Sequence, residues 1–135
     1  MSDLESLAYV DSSGLVKLAV REVESQALVE FLAGHRMACS SLALTEVVRA
    51  VVRSDESARS SAVAVLARVI FVETSPPLLR HAARLLPPEL RSLDAIHVAS
   101  ALSLGGELNL FVTYDRRMRE AAERVGLRVE SPGAP

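Results

Sequence analysis

Leu7-Ala8-Tyr9-Val10-Asp11-Ser12-Ser13 sets four apolar residues in a row, then an acid and two hydroxyls. An unbroken apolar run of this length reads as a strand buried on both faces, because a strand with one wet face would alternate. Comparable runs recur at Met37-Ala38-Cys39, Val69-Ile70-Phe71-Val72 and Leu110-Phe111-Val112-Thr113, with a weaker one at Leu127-Arg128-Val129. Between them the apolar residues fall at helical spacing. Leu15, Leu18 and Ala19 begin one helix; Ala27, Leu28, Phe31 and Leu32 mark the next; Leu44, Val47, Val48, Val51 and Val52 form a strong apolar face. Residues 62–66, 78–86 and 95–102 add three more, and Met118, Ala121, Ala122 and Val125 give the last, which Gly126 stops. Buried strands alternating with helices predict an α/β domain around a parallel sheet of about five strands, covered on both faces.

The length, 135 residues, suits one domain over 1–135 with one sizeable core. Ser75-Pro76-Pro77 and Leu86-Pro87-Pro88 punctuate helix boundaries, and only the tail 131–135 is expected to fray. Half the residues are apolar and 24% charged, which excludes a disordered chain. The formal charge of −2 argues against gripping nucleic acid by bulk positive charge. Of the 15 basic residues only Lys17 is a lysine, a skew towards the better fork for phosphate and carboxylate groups that genome composition would equally produce. Cys39 stands alone, so neither an intrachain disulfide nor a cysteine zinc site can form, and a reducing compartment is the simpler reading. The acidic Met1–Glu5 start does not read as a secretory signal. The longest uncharged stretch, 95–106, has 12 residues against the roughly 18 of a membrane span. A soluble cytoplasmic protein with no membrane partner is expected.

Four acids occupy unusual settings. Asp11 directly follows the first strand, the place where open parallel sheets bind ligands; the plainer alternative is that Asp11 or Ser12 caps the next helix. Asp94 lies in Leu93-Asp94-Ala95-Ile96-His97-Val98-Ala99, a helix with almost no polar face. Such a helix is buried, and an ionised carboxylate beside it wants a cation. The alternative is a first-turn acid behind a Ser92 cap. Glu46 sits in Thr45-Glu46-Val47-Val48-Arg49, where a stripe of Glu46, Arg49 and Arg53 also matches a solvated, ion-paired face. Asp115 follows the fourth strand, where it or Thr113 would cap the last helix. If the first and fourth strands are neighbours, Asp11 and Asp115 open into one cleft.

Four carboxylates converging without a cysteine or histidine cluster favour Mg²⁺ or Mn²⁺ over zinc. Such a site suits phosphoryl-ester chemistry. His97, three residues after Asp94, reads as a neutral core or supporting histidine rather than a ligand. The Arg116-Arg117-Arg119 cluster is placed to meet phosphates or simply to face solvent. With no tryptophan and only Tyr9 and Tyr114 beside three phenylalanines, no base-stacking platform is evident.

The set Tyr9-Val10-Asp11-Ser12-Ser13 with Val16-Lys17-Leu18, then Thr45-Glu46 with Arg49-Ala50, then Leu90-Arg91-Ser92-Leu93-Asp94-Ala95-Ile96-His97, then Val112-Thr113-Tyr114-Asp115, resembles the PIN-domain ribonucleases. Within them it is most similar to the VapC-type toxins of VapBC toxin–antitoxin modules, over about residues 7–130. The resemblance implies a PIN-like sheet of order 3-2-1-4-5, with strands one and four together at the switch point. It implies that Asp11, Glu46, Asp94 and Asp115 are the catalytic, metal-binding acids, with Thr113 or Ser13 orienting a water or metal; the substrate contact from the arginine cluster is Arg116. It implies a Mg²⁺- or Mn²⁺-dependent endoribonuclease in which water attacks phosphorus in line, expels the 3′-oxygen and leaves a 5′-phosphate. The expected substrates are structured transfer or ribosomal RNAs. The expected partners are a VapB-type antitoxin and a second copy of the chain, in a homodimer within a larger complex.

Rival readings fare worse. A phosphoacceptor receiver needs a late lysine, and none follows Lys17; a haloacid-type phosphatase needs a second acid where Ser13 stands. A non-catalytic PIN-like module that binds RNA or protein would typically have lost carboxylates, and all four are present. If the four acids share one cleft, 15 basic residues face 13 acidic ones elsewhere, so an acidic centre hides a mildly basic surround.

Overall fold

The computed structural model describes residues 6–135; Met1–Glu5, expected to be no signal segment, lies outside the described residues. The chain runs β1 (Ser6–Val10), α1 (Ser12–Ala19), α2 (Ser25–Leu32), β2 (His35–Ser40), α3 (Ala43–Val51), α4 (Glu56–Leu66), β3 (Val69–Val72), α5 (Pro76–Ala82), α6 (Ser92–Ser103), β4 (Leu110–Val112), α7 (Arg116–Arg124) and β5 (Val129–Glu130). All four strand pairings are parallel, and the order is β3-β2-β1-β4-β5. This is the α/β architecture that the apolar runs predict, and the strand order that the family resemblance implies.

Topology follows from burial. Ala8, Tyr9 and Val10 of β1, and Phe111 and Val112 of β4, have no exposed surface, as central strands covered on both faces require. Tyr9 and Phe111 lie opposite each other in register and stack at 5.2 Å between ring centroids. The chain winds outward from β1 to β2 and β3, returns across the sheet, and adds β4 on the other side of β1. The carboxyl ends of β1 and β4 therefore lie side by side at the point where the winding reverses, where α/β sheets open a crevice. The Asp11 amide donates to the Val112 carbonyl (3.2 Å), tying the two strand ends together.

Gly14 is required where α1 leaves this point. A Cβ there would stand 2.7 Å from Val10 Cγ1, so only glycine lets the helix turn back so closely over its strand. Gly126, at φ 90°, ends α7 in the left-handed conformation expected of it.

Two helices, the last strand and the tail differ from expectation; the strand covers Val129–Glu130, where 127–129 was expected. Helix α4 begins at Glu56, well before 62, because Asp55 accepts from the Ala58 amide (2.9 Å); its exposed first half has too few apolar residues to show a periodicity. Helix α5 ends at Ala82, short of 86, since Pro87 and Pro88 cannot continue a helix. The tail is anchored at Ser131 and Pro132 instead of fraying there: Ser131 Oγ donates to the Thr113 carbonyl and Tyr114 OH to the Pro132 carbonyl. No helix among the described residues is long and apolar enough to cross a membrane.

Candidate active site

The four acids line one cleft of about 150 Å³, together with Ser12, Ser13, His97 and Met118. Asp11 comes from the end of β1, Glu46 from α3, Asp94 from the first turn of α6, and Asp115 from the step between β4 and α7.

Asp11 is the most constrained. It is 2% exposed, and its Oδ1 accepts from the Gly14 amide (2.8 Å) and Ser13 Oγ (3.0 Å) while Oδ2 accepts from Thr113 Oγ1 (2.7 Å). Capping and cleft-lining, alternatives in the sequence, are here the same act. Burial pushes its carboxyl pKa up; the hydrogen bonds from Thr113 and Gly14, the His97 charge and Ser13 pull against that shift without cancelling it.

Glu46 does not pair with Arg49 and Arg53. Its Oε1 accepts from Ser12 Oγ (2.6 Å) and from His97 Nε2 (2.8 Å). Burial alone would raise its pKa, but these two bonds and the His97 charge outweigh burial and hold it below the ordinary carboxylate value. Both bonds go to Oε1, so Oε2 remains available to the cleft.

His97 is 2% exposed and links four elements: Nε2 meets Glu46 and lies 3.3 Å from Ser12 Oγ, while Nδ1 meets Tyr9 OH at 2.7 Å. Burial alone would lower its pKa. The Cys39 sulfur 3.9 Å from Nδ1 and the Glu46 carboxylate reverse that, raising it to about 10. The supporting role expected of His97 stands: its Nε2 meets Glu46 Oε1 and its Nδ1 meets Tyr9 OH, so the ring holds the carboxylate in place from the core side.

Asp94 is half-buried and accepts no hydrogen bond from the described residues. Burial, then the carboxylate of Asp115 and, more weakly, that of Asp11 raise its pKa, against smaller opposing effects of His97 and Arg91. Ser92 does not cap α6; the N-cap position is Arg91, without a side-chain bond. Asp115 is exposed and caps α7, its Oδ1 accepting from the Met118 amide (3.0 Å).

Among the supporting residues, Ser13 is exposed and bonded to Asp11, and Thr113 is fully buried behind it. Arg116 stands outside the acid cleft, lining an adjoining cavity of about 440 Å³ with Arg91, Asp94, Tyr114, Asp115 and Arg117. The sequence reading weighed Ser12 only as a helix cap and His97 as a core or supporting histidine; both line the acid cleft. The available signal was spacing: His97 lies one turn after Asp94, on a similar helix face.

The donor set suits a small, hard dication. Asp94 and one oxygen each of Glu46 and Asp115 are uncommitted, all candidate donors are carboxylate oxygens, and their mutual repulsion raises Asp94. Among the described residues, no three acid, histidine or cysteine side chains close on one point as a finished cage. A cation would therefore be held by carboxylates drawing together around it.

Known proteins share this chain's sequence family and fold. The PIN domain family model matches residues 8–124, and the chain belongs to that family. It is 47% identical over 125 residues to ribonuclease VapC46 of Mycobacterium tuberculosis, covering 92% of this chain and 96% of the relative. It is 39% identical over 132 residues to ribonuclease VapC35 of the same species, covering 94% and 98%. Within the PIN domains the chain stands among the VapC ribonucleases. Two solved structures share its fold at 17% identity. VapBC2 from Rickettsia felis, bound to a DNA fragment from its promoter, gives a TM-score of 0.68 over 93% of this chain and 98% of that one. VapC20 of M. tuberculosis, a sarcin–ricin loop cleaving toxin, gives 0.66 over 89% and 95%.

Proposed function

We propose that this VapC ribonuclease is the toxin of a VapBC module, a Mg²⁺- or Mn²⁺-dependent endoribonuclease that cuts structured transfer or ribosomal RNA and so inhibits translation. The observation that carries this reading is the convergence of Asp11, Glu46, Asp94 and Asp115 on one cleft at the sheet's switch point. A bound Mg²⁺ or Mn²⁺ supplies positive charge to phosphate oxygens and acidifies water.

The chain's own residues do the rest. Asp11, pinned by three hydrogen bonds, offers a fixed anion whose further lone pairs remain usable. Asp94, with no hydrogen bond from the described residues, is the acid most ready to move onto a cation. His97 and Ser12 keep Glu46 ionised and aim Oε2 at the cleft. Thr113 and Ser13 orient Asp11, and Arg116 at the cleft margin meets an RNA phosphate.

The sarcin–ricin loop that the VapC20 neighbour cleaves supports a structured RNA target, and the VapBC2 complex supports a VapB-type antitoxin. Residues 1–135 act as one unit, in a homodimer within a larger cytoplasmic complex. The test is cleavage of structured RNA by purified chain freed of antitoxin. Cutting should require Mg²⁺ or Mn²⁺ and leave 5′-phosphates; cutting by Asp94→Asn in EDTA would refute the metal reading. RNA binding without cutting under any metal would favour the non-catalytic module.

A further inference from the structure

The segment after β5 closes a circuit of hydrogen bonds that ends at the acids. Ser131 Oγ donates to the Thr113 carbonyl (2.5 Å) and accepts from Arg119 Nη2 (2.7 Å), so its donor and one acceptor position are both used. Thr113 Oγ1 donates to Asp11 Oδ2 (2.7 Å) and accepts from the Asp115 amide (3.1 Å). Asp115 caps α7, and the Arg119 amide on that helix bonds back to the Asp115 carbonyl (2.9 Å). The path runs from Asp115 along α7 to Arg119, through Ser131 to Thr113, and from there to Asp11 and back to Asp115.

Two further contacts hold the segment down. Tyr114 OH donates to the Pro132 carbonyl (2.7 Å), and Gly133, at φ 84°, lies where a Cβ would be 2.8 Å from Ala27 Cβ. The Ser131 bonds lie beyond the last strand pair, Val112 with Glu130, on the cleft side of it. The Thr113 amide already donates to the Glu130 carbonyl (3.3 Å); what Ser131 adds is a hold on the Thr113 carbonyl, between the two acids.

We propose that Ser131, held by Arg119, is a positioning residue for the acid cleft: it fixes Thr113, and through Thr113 the Asp11 carboxylate and the Asp115 backbone, in the arrangement that receives a divalent cation. The inference rests on the metal reading above. Outer residues that orient ligating carboxylates typically change metal affinity or activity by about 10–100-fold when removed.

Mn²⁺ affinity of the full chain, measured by calorimetry with the metal alone, tests it. Ser131→Ala should weaken Mn²⁺ binding roughly tenfold and, at Mn²⁺ concentrations that saturate the variant, lower kcat for RNA while leaving KM unchanged, and Ser131→Thr, which keeps the hydroxyl, should restore most of both. Arg119→Gln should act in the same direction and serves if Ser131→Ala does not fold. Ser25→Ala is the comparison for a merely structural serine, since Ser25 is buried away from the cleft and bonds the Lys17 carbonyl (2.6 Å). It should lower stability and leave Mn²⁺ affinity alone. Wild-type Mn²⁺ affinity in Ser131→Ala or Arg119→Gln, or equal weakening by Ser25→Ala, overturns the positioning role alone. A wild-type chain that binds no Mn²⁺ overturns the metal reading and the positioning role with it.

Discussion

Asp94→Asn should stabilise the metal-free protein while removing most of its response to metal. Asp94 is half-buried, accepts no hydrogen bond from the described residues, and has its pKa raised by burial and by Asp115 and Asp11. A carboxyl whose folded pKa exceeds its unfolded value contributes stability when protonated and loses it as pH rises through the folded value. Above that value the ionised Asp94 works against folding. Replacing it with neutral, near-isosteric Asn relieves that repulsion, by about 0.5–1 kcal/mol for a partly solvated charge. At roughly 3–5 °C per kcal/mol for a chain of this length, Tm in EDTA should rise by about 2–5 °C. Metal acts in the opposite sense. Mn²⁺ at about 100 times its Kd stabilises by about 2.7 kcal/mol, which moves wild-type Tm by on the order of 10 °C. Thermal unfolding should therefore rank Asp94→Asn above wild type in EDTA and below it in saturating Mn²⁺. The EDTA advantage should shrink as pH falls from 7 through the raised pKa of Asp94, because the wild-type carboxyl then becomes neutral too. An Asp94→Asn protein less stable than wild type in EDTA, or one with an undiminished Mn²⁺ shift, would refute the electrostatic account of the cleft.

His97→Ala leaves a buried hole and deprives Tyr9 OH, Ser12 and Glu46 of a shared partner, so denaturant unfolding should show a loss of about 2–4 kcal/mol and RNA cleavage should fall with it. A loss under about 1 kcal/mol would mean the imidazole is replaceable by water. Gly14→Ala drives a methyl into Val10 Cγ1 at 2.7 Å and should cost about 1–3 kcal/mol by the same measurement. Full stability would show that α1 shifts freely against β1. Arg116→Ala and Arg117→Ala, each in a cleavage-silent Asp11→Asn background, should weaken RNA binding and each reduce the salt dependence of log Kd by about one. Unchanged slopes would place the RNA backbone elsewhere, and Arg68→Ala, at the far end of the sheet beside Met37 and Ile70, is the comparison.

The centre of the sheet was legible because β1 and β4 are buried on both faces, whereas edge strand β3, where Ile70 is 45% exposed, is not. Tyr9-Val10 and Phe111-Val112 read as continuous apolar runs, and the acids behind them stand out for that reason. Asp94 was legible in the same way, as a charge on a helix with almost no polar face. Glu46 was not, because periodicity cannot tell which side of an amphipathic helix turns to water when another helix supplies a polar partner. The pairing of Glu46 with His97 spans 51 residues of sequence, and nothing local in either segment announces it. The anchored tail was hidden for a related reason: Ser-Pro-Gly-Ala-Pro is a composition of loose ends, and its order comes from Thr113, Tyr114 and Arg119, which reach it from elsewhere.

The small net charge then has a spatial explanation. Asp94 and Asp115 border both the acid cleft and the adjoining cavity that carries Arg91, Arg116 and Arg117. On the proposed reading, the 150 Å³ cleft is large enough for cations and a scissile phosphate but not for the nucleotides on either side of it. The flanking RNA therefore lies over the larger arginine-lined cavity, where guanidinium forks suit phosphate oxygens. Without metal, the two acids at the shared border repel that same backbone. Cation binding reverses the sign at the border and joins cleft and cavity into one positive track, so RNA affinity itself, and not only turnover, should rise when Mg²⁺ or Mn²⁺ is added to a chain that retains Asp94 and Asp115.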